Sequence, residues 1–138
     1  MSKLPNTIKK AVCILLINKD GEVLAISRGE DTTQWGLPGG KVELGESLAN
    51  AVIRETWEET GYEIADPVPV YTGHSPGKVD YMTTTFTATV ARAAKGAPQS
   101  DPFEGHLKWV MPDALVHSSP FGEYNARLFS ALGIPYVS

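Results

Sequence analysis

Cys13 is the only cysteine, so no disulfide can form within the chain. The longest apolar run, residues 11–17, falls far short of the roughly 20 residues a membrane-spanning helix needs. It is also too short for a signal peptide and lacks a small-residue cleavage site, so it reads as a strand. Basic residues are not in excess: 12 Lys and Arg face 16 Asp and Glu, for a net charge of -4. That balance gives no pull toward nucleic acid or an anionic membrane, and neither partner is expected. His74 and His106 lack paired metal-ligand spacing, which leaves them as surface histidines. No repeat and no interdomain linker interrupts the chain. The expectation is one mixed α and β domain over residues 1–138, in the cytoplasm.

Regular elements follow from turn signals and periodicity. Residues 11–17 are apolar and partly β-branched, and Asp20-Gly21 should turn the chain into a returning strand over 22–27. Residues 29–34 read as loop, and 37–40 (LPGG) as a tight glycine-rich turn. The clearest helix covers 47–60, capped by Ser47 and ended by Gly61. Pro67 and Pro69 imply an irregular or edge strand leading to Tyr71. A Thr-rich strand over 81–91, a short strand over 107–111 ended by Pro112, and a helix over 122–132 complete the reading.

Helical spacing puts Ala49, Val52, Ile53, Thr56, Trp57 and Thr60 on one packing face, with the Thr56 and Thr60 hydroxyls bonding back to helix carbonyls. Glu55, Glu58 and Glu59 gather on the flank beside it, and Arg54 is the only cation in the helix. Each like-charge neighbour costs an isolated helix roughly 0.2–0.5 kcal/mol, and the helix dipole also disfavours acids in its C-terminal half. Two readings compete: a solvated acidic face, or a carboxylate site for a hard divalent cation, Mg²⁺ or Mn²⁺.

The residues around the helix bear on that choice. Gly40, Glu46, Arg54-Glu55, Glu58-Glu59 and Gly61 match all seven fixed positions of the pattern G-x5-E-x7-R-E-U-x-E-E-x-G-U, with U a bulky apolar residue. The stretch 40–62 therefore resembles the box of the Nudix hydrolases; Thr56 is the weaker fit at a U position, which Tyr62 also fills. The resemblance implies a Nudix-like α/β/α sandwich with a mixed β-sheet. It implies that Glu55, Glu58 and Glu59 ligate metal, that one of them activates water, and that the Gly39 carbonyl joins the shell. Glu46 and Arg54 would brace the box.

Outside the box, family members often carry a further acid in the loop before the last strand. Glu104 fits that place as metal ligand or base, with Asp101 its rival. Arg28, at the end of the second strand, is the candidate phosphate ligand, and Trp109 sits where some relatives stack a base. Trp35, Tyr81 and Phe86 read as packing residues. The implied activity is metal-dependent hydrolysis of a phosphoanhydride in a nucleoside diphosphate-linked substrate, with a nucleoside triphosphate, modified or not, as default. The subfamily array SQPWPFPxS is absent, and no coenzyme A signature precedes the box. The alternative is a nucleotide-binding sensor of the same fold that does not hydrolyse. A homodimer is allowed for.

Overall fold

The computed structural model describes residues 9–75, 81–93, 106–118 and 121–137. Its elements are β1 (Lys9–Ile14), β2 (Val23–Arg28), β3 (Asp31–Gly36), β4 (Gly39–Lys41), α1 (Leu48–Thr60), β5 (Tyr62–Ser75), β6 (Tyr81–Ala93), β7 (Leu107–Val110), α2 (Pro112–Val116) and α3 (Gly122–Leu132).

The apolar run after Lys10 is unbroken because the chain there is covered on both sides. Val12, Ile14 and Leu16 point one way, into a core shared with Ala51 and Val52 of α1 and with Phe86. Cys13 and Leu15 point the other way, against Tyr124, Leu128 and Phe129 of α3 and Leu115 of α2. This alternation is the period-two geometry of a strand, and it sets helices on both sides of the sheet layer. The result is an α/β/α sandwich, as the resemblance implied.

Four strands form a mixed sheet in the order β4-β1-β6-β5, with β1 parallel to β6 and the other pairs antiparallel. A second, antiparallel sheet runs β3-β2-β7. Gly21, at φ 80°, makes the turn after β1. The returning strand is shared only in part: β2 meets the end of that run at the Ile17–Val23 bridge, then pairs in the other sheet. β5 is an edge strand, and its register slips between Ala65 and Val68 and again between Pro69 and Tyr71. Prolines lacking an N–H are tolerated at such slips.

Four local expectations need correction. Residues 31–36 form β3 rather than loop: despite their polarity they pair with β2, and the Trp35 N–H donates to Ser118 Oγ at 2.8 Å. The glycines after Pro38 form a strand rather than a tight turn, with Gly39 opposite Cys13 and Gly40 opposite Val12. Pro112 opens α2 as well as ending β7, its fixed φ suiting a first helical position. Trp57 is 44% exposed, whereas Glu59 is 8% exposed. The buried stripe of α1 runs through Ala51, Val52, Thr56, Glu59 and Thr60, rolled toward β4.

Ser47 caps α1 by accepting the Asn50 N–H, and Gly61 ends it at φ 74°. Thr60 donates back to the Thr56 carbonyl at 2.6 Å. Among the described residues Thr56 makes no such bond, and its Oγ1 is sealed from solvent without a partner.

Candidate active site

The two glycines of β4 are needed for close approach. A Cβ on Gly39 would overlap the Val12 carbonyl oxygen across the β1–β4 pairing. On Gly40 it would overlap the Glu55 carboxylate. This strand thus lies directly against the acidic flank of α1. The Gly39 N–H donates to Glu59 Oε1 at 2.8 Å, which accounts for an acid held in the buried stripe.

Arg54 ties the box together with all five of its N–H donors. Nε donates to Glu46 Oε2 at 2.8 Å and Nη2 to Glu46 Oε1 at 2.9 Å, a bidentate pair. Nη2 also donates to the Lys41 carbonyl at 3.2 Å. Nη1 reaches Glu55 Oε2 at 3.1 Å and Glu58 Oε1 at 3.2 Å. One guanidinium therefore joins β4, the loop before α1, and α1 itself. Glu46 is fixed further by accepting the Glu43 N–H at 3.0 Å. The Arg54 contact, then this backbone bond, lower the Glu46 pKa from 4.5 to about 2. The same Glu46 bonds raise the pKa of Arg54, which stays charged.

Among the described residues, no three His, Cys, Asp or Glu side chains converge as a ready metal centre. The Arg54 contacts explain part of this, because Nη1 draws Glu55 and Glu58 to itself. The donor set still suits a hard cation. It offers three carboxylates from one rigid helix, Glu55 fitted into a space that only a glycine leaves open, and Glu59 oriented by a backbone N–H.

The other predicted residues are placed as follows. Arg28 ends β2 at a register shift opposite Asp31, and its side chain is outside the described residues. Glu104 and Asp101 also lie outside the described residues. Trp109 pairs with Leu24 and packs against the core beneath α1. Trp35 packs against the opposite core, with Lys108 Nζ 5.9 Å from its ring centroid.

Sequence reasoning did not anticipate a cavity of about 250 Å³ on the α3 side of β4. Cys13, Gly39, Lys41, Phe121, Tyr124 and Asn125 are among its lining residues. β4 thus separates the cavity from the carboxylates, with Gly39 and Gly40 touching both. Cys13 bonds Thr85 Oγ1 at 3.1 Å, Thr85 Oγ1 bonds Tyr124 Oη at 2.8 Å, and Tyr124 donates to the Thr83 carbonyl at 3.1 Å. Burial pushes the Cys13 thiol up to about 12, so it stays protonated and unreactive. The only sequence signal for the cavity was the small and polar spacing of α3, and that spacing fits an ordinary amphipathic helix equally well.

The NUDIX domain profile matches residues 7–132. A Bacillus subtilis (strain 168) protein, provisionally named an 8-oxo-dGTP diphosphatase, is 33% identical over 103 residues, which are 74% of this chain and 66% of that protein. A MutT-like protein of Streptomyces ambofaciens is 32% identical over 125 residues, 88% of this chain and 75% of its own length. A solved NUDIX hydrolase from Nitrosomonas europaea superposes with a TM-score of 0.73 at 23% identity, over 93% of this chain and 91% of that one. With a family profile over nearly the whole sequence, and its signature acids gathered between β4 and α1, this chain belongs to the NUDIX domain family.

Proposed function

We propose that this chain is a metal-dependent hydrolase that cleaves a phosphoanhydride bond in a nucleoside triphosphate, including oxidised or otherwise modified ones, within a single domain. Family membership supports the reaction class. The observation that carries the reading is the contiguity of the cavity, the β4 glycines and the carboxylate flank. A cavity of about 250 Å³ is smaller than the roughly 300–1,000 Å³ of pockets that take a whole ligand. It suits a base, leaving ribose and phosphates to pass along β4 toward α1. The provisional name of the Bacillus subtilis relative supports the modified-nucleotide default.

Glu55, Glu58 and Glu59, with the Gly39 carbonyl, would hold Mg²⁺ or Mn²⁺, which neutralises phosphate charge and acidifies water when bound. Arg54 and Glu46 hold the carboxylates in position. Lys41, exposed and among the residues that line the cavity, would attract phosphate in this reading. One carboxylate of the box, or Glu104, takes the proton of the water that attacks phosphorus, while the bridging P–O bond breaks toward the leaving phosphate. Arg28 is the further phosphate ligand in this reading. Trp109, packed beneath α1, is the weaker substrate contact. We place the protein in the cytoplasm, with a homodimer allowed.

A panel of nucleotides with and without Mg²⁺, scored for pyrophosphate and for phosphate release, tests the proposal. Turnover that stops with chelator supports it. Tight binding with no turnover by a folded protein would favour the non-hydrolysing sensor. Glu104→Gln should cut turnover with the fold intact and Asp101→Asn should do much less; the reverse ranking would exchange their roles.

A further inference from the structure

We infer that Glu43 is a positioning residue that takes over Arg54 Nη1 when Glu55 and Glu58 turn to a divalent cation. The inference rests on the metal-holding reading of those carboxylates, and it concerns an acid outside the fixed positions of the box. Every N–H of Arg54 is in use. Nε and Nη2 hold Glu46 and the Lys41 carbonyl. The N–H groups of Nη1 go to Glu55 at 3.1 Å and to Glu58 at 3.2 Å. A third carboxylate waits beside the same nitrogen. Glu43 Oε2 is 3.9 Å from Nη1, about 1 Å beyond a good hydrogen bond.

The three carboxylates are not equivalent. The Glu43 side chain is 69% exposed and turns through water, whereas Glu55 is confined against Gly40 of β4. The Glu43 backbone is fixed nonetheless. Its N–H donates to Glu46 Oε1 at 3.0 Å, and its carbonyl accepts the Glu46 N–H at 3.0 Å. The residue that anchors Arg54 therefore also anchors the turn that carries Glu43. A cation held by Glu55 and Glu58 brings positive charge up to a guanidinium that is itself positive, and like charges this close repel. Nη1 is then better placed against an acid that holds no metal. With Nε and Nη2 still on Glu46, the guanidinium stays in the box and only the Nη1 bonds change partners.

The test measures the affinity of Mn²⁺ alone, read from the paramagnetic resonance of the free ion, for the parent, Glu43→Gln and Glu43→Asp. Aspartate keeps the charge but is one methylene too short to reach Nη1. Both variants should raise the Kd for Mn²⁺ by roughly 5- to 10-fold, near the low end of what a hydrogen bond between charged groups contributes. A parent-like Glu43→Asp would overturn the inference, because Glu43 would then act by charge alone. Parent-like affinity in Glu43→Gln would overturn it as well. Without metal all three proteins should melt alike; an earlier melt in either variant would mean that Glu43 already bonds Arg54 and has no exchange to make. A crystal structure of the Mn²⁺-loaded parent needs no variant. In it Nη1 should lie within about 3.2 Å of Glu43 and should have left Glu55 or Glu58. Nη1 still bonded to both, and not to Glu43, would overturn the exchange while leaving the metal site standing. A parent that binds no Mn²⁺ would sink the metal reading itself, and the exchange with it.

Discussion

The backbone N–H of Gly39 donates to the carboxylate of Glu59 at 2.8 Å, joining an edge strand to an acid 20 residues later in the chain. This bond explains why α1 is rolled so that Glu59 is buried while Trp57 faces outward. It also puts the carboxylate flank within reach of whatever lies along β4. The neighbouring glycine extends the relationship, because its missing side chain makes room for Glu55.

The two glycines should respond differently to the same substitution. In Gly39→Ala the new methyl meets the Val12 carbonyl and the Cys13 backbone, so β1 and β4 must separate. A loss on the order of 2 kcal/mol is expected in denaturant unfolding. In Gly40→Ala the methyl meets the end of the Glu55 side chain, which can swing aside. Stability should change little while turnover falls at least 10-fold. Equal stability losses in both would contradict this placement of Glu55.

Glu46 gives a pH signature. Its folded-state pKa is about 2 against 4.5 when unperturbed, so its stabilising contribution is complete above about pH 4.5 and is lost as pH falls toward 2. Over that window the unfolded state binds the proton first. Denaturant unfolding between pH 5 and pH 2.5 should therefore show a shallower pH dependence in Glu46→Gln than in the parent. Identical slopes would mean that the Arg54–Glu46 pair does not hold in solution.

Thr56 is a residue the fold tolerates at a cost. It is fully buried, and among the described residues its hydroxyl has no partner. Valine has the same shape without the orphaned polar group, whose burial costs about 1–3 kcal/mol. Thr56→Val should raise the melting temperature by about 3 °C, for a gain of about 1 kcal/mol. A clear drop would show that the hydroxyl has a bonding role.

Much of the site was legible because its residues are fixed in spacing along one helix and the strand before it. Ser47 and Gly61 bounded α1 correctly, whereas Glu59, expected on the flank with Glu55 and Glu58, falls in the buried stripe. Residues 31–36 were not legible, since polar side chains hide a strand whose pairing is purely backbone. Trp57 misled because local periodicity rewards a large apolar side chain, whereas the tertiary bond from Gly39 to Glu59 sets the roll of the helix. The cavity escaped notice because its wall gathers residues from β1, β4, β5, β6 and α3, far apart in sequence.

The central claim is that Glu58 and Glu59 act through a divalent cation and are more than a solvated acidic face. Thermal melts with and without Mg²⁺, on the parent, Glu58→Gln and Glu59→Gln, test it most directly when rates are measured on the same samples. Binding to the native state at 100 times Kd adds about 2.7 kcal/mol, so Mg²⁺ should raise the melting temperature of the parent by clearly more than it raises that of either variant. Turnover of the variants should fall by a factor on the order of 10²–10⁴. Equal Mg²⁺ shifts and unchanged rates in all three proteins would contradict the account.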